Sequence, residues 1–415
     1  MKAVRKLWSR GRHMGVKTLL GLCLAVSVVV AGCTGSQASL PTTTSPSSST
    51  VEPADASPPS IANDASPSTT REDEPLGWRS LAEWPLERRS DFPQIWTGDE
   101  LVIWGGSQED TPKAFDDGAR YNPATDTWMV LSDSPLSARS RHLGVWTGTE
   151  VIYWGGIRGD GDEPEHIDPI ADGAVYDPES DSWRLLPDGP LHGGNPYAAT
   201  WTGSEVIYVG PDPSEVASYD PASDTWTELT PRPPRDRPTF WITAHWTGSE
   251  LVVVASDDQR VDIVAYDADS DSWRELPRPF DDIAMPVTRG SPTHIWDGST
   301  LWLLTFAPQE TGVAGLDLVT GEWIFSPAFP GQDCTDIPSG ISIRLGLLVD
   351  SCALSAVLSG GQWSTIPSIP RFSPKHPGPP AVWTGEEILI FDAGIAPGSA
   401  NFPDGSTPQF WLLEP

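Results

Sequence analysis

Three arginines of this chain keep a fixed distance from a tryptophan. Arg89, Arg139 and Arg289 each stand seven residues before the tryptophan of a Trp-Thr-Gly or Trp-Asp-Gly triplet, at Trp96, Trp146 and Trp296. His142, His245 and His294 lie further along equivalent segments. A guanidinium offers paired donors that match a carboxylate or a sulfate. Arg89, Arg139, His142, Arg289 and His294 are therefore the candidate ligand-binding residues. The alternative is that each arginine holds a neighbouring loop's carbonyls or a turn aspartate, and the spacing leaves both open.

A second chemistry to weigh is metal binding. The loop GDGDEPEHID, Gly159 to Asp168, collects oxygen ligands, and Asp160, Asp162 and Glu163 are the set that calcium would use. An EF-hand's full spacing is missing from the Asp160–Asp168 stretch, so no metal is assigned. Asp267 to Asp271, DADSD, mimics a calcium run but belongs to a repeated turn. There is no P-loop, HExxH, GxSxG or clustered Cys-His pattern, so no catalytic residue and no cofactor is assigned.

What must position these residues is a repeat. WTGDELVIWGG at Trp96 returns as WTGTEVIYWGG (Trp146), WTGSEVIYVG (Trp201), WTGSELVVVA (Trp246), WDGSTLWLL (Trp296) and WTGEEILIF (Trp383). Each reads as strand, polar turn with glycine, strand. A second phrase, YDPESDSW at Tyr176, returns as YNPATDTW, YDPASDTW and YDADSDSW. Its Asp, Pro, Ser and Asn favour a tight turn, which makes it a second hairpin that opens its last strand with tryptophan. A degenerate sixth copy runs from Leu358 to Trp363, and LGLLVD from Leu345 supplies that copy's second strand.

Two hairpins per unit give four strands in roughly 40–50 residues, the period of a propeller blade. Closing tryptophans at 78, 128, 183, 226, 273, 323 and 363 number seven. The expected fold is an all-β, seven-bladed β-propeller of four-stranded antiparallel blades. The chain stops at Leu413-Glu414-Pro415, which aligns with Tyr-Asp-Pro, one strand short. Gly77-Trp78-Arg79-Ser80-Leu81 supplies that strand, so an N-terminal strand is expected to close the last blade and remove free edges.

The arrangement resembles kelch-repeat propellers, such as the β-propeller portion of galactose oxidase and its relatives. The residues that carry the likeness are Gly105-Gly106 and Gly155-Gly156 after the second strand, the Tyr–Trp pairs, and Arg139-Ser-Arg-His142 before the first strand. It spans residues 76 to 415, although the fourth to sixth units lack the glycine pair. The copper chemistry of the oxidases would need a cysteine-linked tyrosine, and six of the seven tyrosines occupy repeat positions here. A kelch-type sialic acid epimerase is the nearer enzyme comparison. It would draw a cofactor-free acid/base pair from Arg139, His142 and His294.

The first residues read as an export signal. Lys2, Arg5, Lys6, Arg10, Arg12 and Lys17 precede an apolar run from Leu19 to Val30, too short to span a bilayer. Val30-Ala31-Gly32-Cys33 resembles a bacterial lipobox, whose cysteine is acylated after cleavage. Residues 1–32 are then a lipoprotein signal peptide, starting at Met1 or Met14, and Cys33 is the membrane anchor. Residues 33–75 are rich in Ser, Thr and Pro and form a disordered tether with a reach of roughly 35–40 Å. Cys334 and Cys352 fall in the loop before the sixth unit's first strand and after its second, so a disulfide between them is expected outside the cytoplasm.

Composition narrows the partners. Net charge is −31, and it becomes more negative once the basic leader is gone. That argues against nucleic acid or anionic lipid as a partner of the folded surface. The TG and DPxSD turns fall at one end of the units. Variable connections such as Ser107–Asp117, Ile157–Gly173, Pro277–Pro292 and Gly394–Pro408 fall at the other. With the tether joining just before Trp78, the turns face the membrane and the loops face outward. The expected function is a lipid-anchored, extracytoplasmic, monomeric binding protein that meets a protein, glycan or acidic small ligand through its loops, with the epimerase-type enzyme as the alternative.

Overall fold

The computed structural model describes residues 78–413 apart from 109–112, 159–168, 194–196, 237–238, 240, 258–259, 279–293, 308–309, 328, 331–338, 344–345, 352–353, 367–380, 386–387 and 392–409. Arg289, the Asp160–Asp168 loop, Cys33, Cys334 and Cys352 lie outside the described residues. The described residues contain strands and turns and no helix, and therefore none long and apolar enough to cross a membrane.

Among them are seven four-stranded antiparallel sheets and one two-stranded sheet. Sheet 1 comprises Gln94–Trp96, Leu101–Trp104, Gly118–Asn122 and Thr127–Val130. Sheet 2 comprises Leu143–Trp146, Val151–Trp154, Gly173–Asp177 and Ser182–Leu185. Sheet 3 comprises Ala198–Trp201, Val206–Val209, Val216–Asp220 and Thr225–Glu228. Sheet 4 comprises Trp241–Trp246, Glu250–Ser256, Val261–Asp267 and Ser272–Glu275.

Sheet 5 comprises His294–Trp296, Thr300–Ala307, Glu310–Asp317 and Trp323–Phe325. Sheet 6 comprises Ser339–Ile343, Gly346–Ser351, Leu354–Ser359 and Gln362–Ile366. Sheet 7 joins Ala381–Trp383, Ile388–Phe391 and Phe410–Leu413 to the strand Trp78–Ser80. Trp78 pairs with Leu413, the same register in which Tyr121 pairs with Trp128. The short pair Arg139–Ser140 and Ile157–Arg158 lies before the first strand and after the second strand of sheet 2.

Apolar clusters fill the spaces between sheets. Val382 and Leu389 of sheet 7 pack with Leu101, Ile103 and Tyr121 of sheet 1, and Trp104 of sheet 1 packs with Tyr153 and Tyr176 of sheet 2. Similar clusters join sheets 2 and 3, 3 and 4, 4 and 5, and 5 and 6. The second strands of sheets 1 to 4 are buried along nearly their whole length, so they read as continuous apolar runs rather than alternating ones.

The repeated phrases become bonds at what we call the turn end of each sheet. In sheets 1 to 4 the third-strand tyrosine donates its hydroxyl proton to the aspartate five residues on, at 2.6–2.8 Å (Tyr121–Asp126, Tyr176–Asp181, Tyr219–Asp224, Tyr266–Asp271). Those aspartates sit at φ of +48° to +55°, a region that short polar side chains tolerate. The fourth-strand tryptophan donates its Nε1 proton to a carbonyl in the segment that leaves the preceding sheet. Trp183 reaches Ser132 at 3.0 Å and Trp226 reaches Pro187 at 3.0 Å. The aspartate takes a backbone N–H from the same segment, as in Ser132 to Asp181 at 3.1 Å. Tyrosine, aspartate and tryptophan thus staple each sheet to its neighbour, at about 1 kcal/mol per neutral bond and more where the carboxylate accepts.

Exceptions follow local chemistry. In sheet 6, Leu358 pairs with Trp363 across Gly360 (φ +57°) and Gly361 (φ +77°), a two-residue hairpin turn in place of the longer phrase. In the WTG turns, Thr97, Thr147, Thr202 and Thr247 bond the carbonyl and amide three residues on. Asp297 does the amide part of this in WDG.

Candidate functional site

The opposite, loop end of each sheet is organised by an acid four residues before the third-strand tyrosine: Asp117, Asp172, Glu215 and Asp262. In sheets 1 and 2 this acid meets the sequence-predicted arginine in nearly the same geometry. Arg139 Nη1 donates to Asp172 Oδ1 (2.6 Å), Asp172 O (3.3 Å) and Gly155 O (3.2 Å), while Nε reaches Ser137 O and Nη2 reaches Ser137 Oγ. Arg89 Nη1 donates to Asp117 Oδ1 (2.7 Å), Asp117 O (3.0 Å) and Gly105 O (3.2 Å), and its guanidinium lies 4.1 Å from the Phe115 ring centre. Neither side chain reaches solvent. Burial pulls both guanidinium groups below their usual range, and the paired aspartates oppose that shift. These contacts are those of a latch closing the loop end of each sheet.

The glycine pair serves the same closure. Gly105 (φ +70°) lets the next sheet's incoming segment pass, and Gly106 (φ +99°) lets sheet 1's own incoming segment pass. A Cβ on Gly105 would stand 2.7 Å from His142 Cε1, and one on Gly106 would stand 2.7 Å from Ser90 O. Two residues beyond each latch arginine, Asp91 and Arg141 both hold positive φ (+58° and +57°), and they pair with each other at 3.3 Å.

Sheets 3 and 4 depart from the latch. Seven residues before Trp201 and Trp246 stand Gly194 and Thr239 rather than arginine. Glu215 of sheet 3 accepts instead from the Tyr197 hydroxyl (2.5 Å) and pairs with His192 Nδ1 (3.0 Å). His192 is 87% exposed, so its other nitrogen is open to solvent. Burial, and then Glu215, push the Tyr197 phenol up.

Asp262 of sheet 4 takes three arginines. Arg235 Nε binds Oδ2 at 2.7 Å, while Arg260 Nε and Arg278 Nη2 bind Oδ1 at 2.8 and 2.9 Å. Arg235 Nη2 also reaches the buried Asp257 (3.5 Å), and Arg260 Nη1 reaches Asp236 (3.2 Å). Burial alone would raise the Asp262 carboxyl, but the Arg260 bond and the three positive charges hold it below its usual value. Arg232, buried nearby, donates to Gly210 O (3.4 Å) and Pro211 O (2.5 Å), and its Nε has no partner.

The predicted histidines are elsewhere and differently placed. His142 is buried with its ring centre 5.0 Å from Trp104 and 5.6 Å from Tyr153, and burial plus the charge of Arg139 lowers it to about 3. His294 pairs its Nδ1 with Thr243 Oγ1 (3.2 Å) and is likewise lowered to about 3 by burial and then by His245. His245 falls to about 4 by burial. Both His142 and His294 are neutral at ordinary pH, which is a poor match to general acid/base work near neutrality. Arg139 and His142 adjoin one another, whereas His294 belongs to the contact between sheets 4 and 5. Among the described residues no three of His, Cys, Asp and Glu gather as a metal would require.

Sequence reasoning did not single out Asp262, Arg235, Arg260, Arg278, Glu215 or His192. The signal was present: an acid four residues before the tyrosine in four consecutive units. Compared with known proteins, the chain matches no family model and no curated protein.

Proposed function

We propose that the seven sheets are the blades of a closed, kelch-like β-propeller, tethered outside the membrane through acylated Cys33, that binds a protein, glycan or acidic small ligand at its loop face. The single observation that carries the binding reading is the contrast between the two ends. The turn end repeats the same staple, whereas the loop end abandons its latch in sheets 3 and 4 for His192–Glu215 and for the arginines on Asp262. Repeated bonds serve architecture, and a local departure that exposes charged donors serves recognition. The pairing of Trp78 with Leu413 supports closure by the N-terminal strand, and the proposed Cys334–Cys352 disulfide would fasten the blade whose turn phrase is degenerate.

The test is site-specific photo-crosslinking of the full chain in the cell envelope. A crosslinker at position 260 should give discrete adducts, and one at position 222 in a turn should give none. Adducts from position 222 alone would end the loop-face reading. Loss of membrane association on replacing Cys33 with serine tests the anchor separately.

A further inference from the structure

We infer that the loop end of sheet 4 holds a receptor for a single oxyanion, of carboxylate or sulfate type, built from the unspent guanidinium edges of Arg260 and Arg278. The inference rests on the loop-face reading above and names the ligand chemistry of one part of that face.

Sheet 4 carries more arginines than its acid requires. In sheets 1 and 2 one arginine satisfies the acid and closes the loop end. In sheet 4 there is no such latch, but Arg235 alone already meets both buried acids, Asp262 and Asp257. It is 6% exposed and spends Nε on Asp262, Nη2 on Asp257 and Nη1 on Thr239. Arg260 and Arg278 are therefore not needed to pair that carboxylate, yet both are drawn to one oxygen of it, at 2.8 and 2.9 Å. Two cations held that close repel one another. Arg232 adds a fourth positive charge that acts on Arg235. Asp257, Asp262 and Asp236 face these arginines, Asp236 being 73% exposed, and Asp212 and Glu215 act on Arg232.

An anion would relieve that repulsion, and there is room to reach it. Arg260 and Arg278 are 32% and 39% exposed. Among the described residues, Arg260 uses Nε and Nη1, leaving Nη2, while Arg278 uses Nη2. Guanidinium edges fixed by a buried carboxylate are pre-organised, so an incoming oxyanion loses less entropy on binding. The lipid tether and the negative surface make an anionic bilayer an unfavourable source for the ligand. A sugar-borne acid group and a free inorganic anion share the required chemistry.

The experiment is calorimetric titration of the full chain at low ionic strength with sodium glucuronate, sodium sulfate and glucose. Saturable binding is expected for the anions and none for glucose. Glucuronate binding several-fold tighter than sulfate would assign a sugar acid, and the reverse order a free anion. Affinity should fall at least tenfold in R260Q/R278Q and be unchanged in R184Q, whose arginine pairs with Glu150 and Asp224. Should the glutamine pair unfold the chain, R260K/R278K keeps the charge, and a several-fold loss there is the expected result. No saturable binding of either anion, or equal binding by the folded double variants, overturns the proposal. Discrete crosslinks from position 260 would then persist, which separates this failure from that of the loop-face reading.

Discussion

The two ends of the sheets are made from the same repeat and follow opposite rules. At the turn end, Tyr121, Tyr176, Tyr219 and Tyr266 find the same aspartate at nearly the same distance. At the loop end, the equivalent acid meets one arginine in sheets 1 and 2, a tyrosine and a histidine in sheet 3, and three arginines in sheet 4. The turn end is constrained because each staple bonds a neighbouring sheet's backbone, so a changed residue leaves partners of two sheets unsatisfied. The loop-end acid lies within one sheet's own connections and is free to change partners. Conserved geometry across a molecule therefore marks assembly, and divergence at an equivalent position marks where chemistry was altered.

The contrast can be broken most severely at a latch. Arg139→Ala takes one donor each from Gly155 O, Asp172 O and Asp172 Oδ1 and empties the space of a fully buried side chain, and should cost about 3 kcal/mol, read by urea unfolding. If it cost no more than a surface substitution, the loop end in sheet 2 would not be architectural.

Acid should weaken the molecule next. His142 and His294 are depressed from the usual 6.5 to about 3, so the unfolded chain binds their protons first. Their contribution is whole above pH 6.5 and is lost as the pH falls toward 3, by about 2 kcal/mol each at pH 5. H142F should flatten that slope in melts taken between pH 7 and pH 5.

A staple should matter less than a latch. Asp181→Ala removes the acceptor for Tyr176 and for the Ser132 amide and puts a non-glycine residue without a polar side chain at φ +49°. A loss of about 2 kcal/mol is expected. Gly98→Ala isolates the backbone cost alone, because a Cβ there meets nothing within 4 Å, and about 1 kcal/mol is expected from φ +106°. Arg184→Gln, which breaks a partly exposed pairing with Glu150 and Asp224, should change the melting temperature least, by under about 1 kcal/mol in stability.

Much of this was legible beforehand because repetition amplifies weak signals. The hairpins, the four-stranded units and the pairing of Trp78 opposite Leu413 all follow from aligning copies. The arginine spacing was legible as well, and with it the alternative that Arg89 and Arg139 hold carbonyls and an aspartate, which is the contact both make. What stayed hidden was convergence from unrelated positions. Arg235, Arg260 and Arg278 share no spacing with the earlier arginines, and only folding brings the linker, the third strand's start and the segment after the fourth strand to one carboxylate. Burial stayed hidden as well: residue type suggests a histidine that titrates near neutrality, while burial beside Trp104 and Tyr153 lowers His142 to about 3.

The strand Phe410–Leu413 lies between Ile388–Phe391 and Trp78–Ser80. A premature stop codon just ahead of position 410 would thus delete one strand and orphan another that was translated more than three hundred residues earlier. During synthesis Trp78–Ser80 must wait for Phe410–Leu413 to emerge before the two can pair. One seam, between strands far apart in the sequence, thus decides whether that sheet has four strands or two.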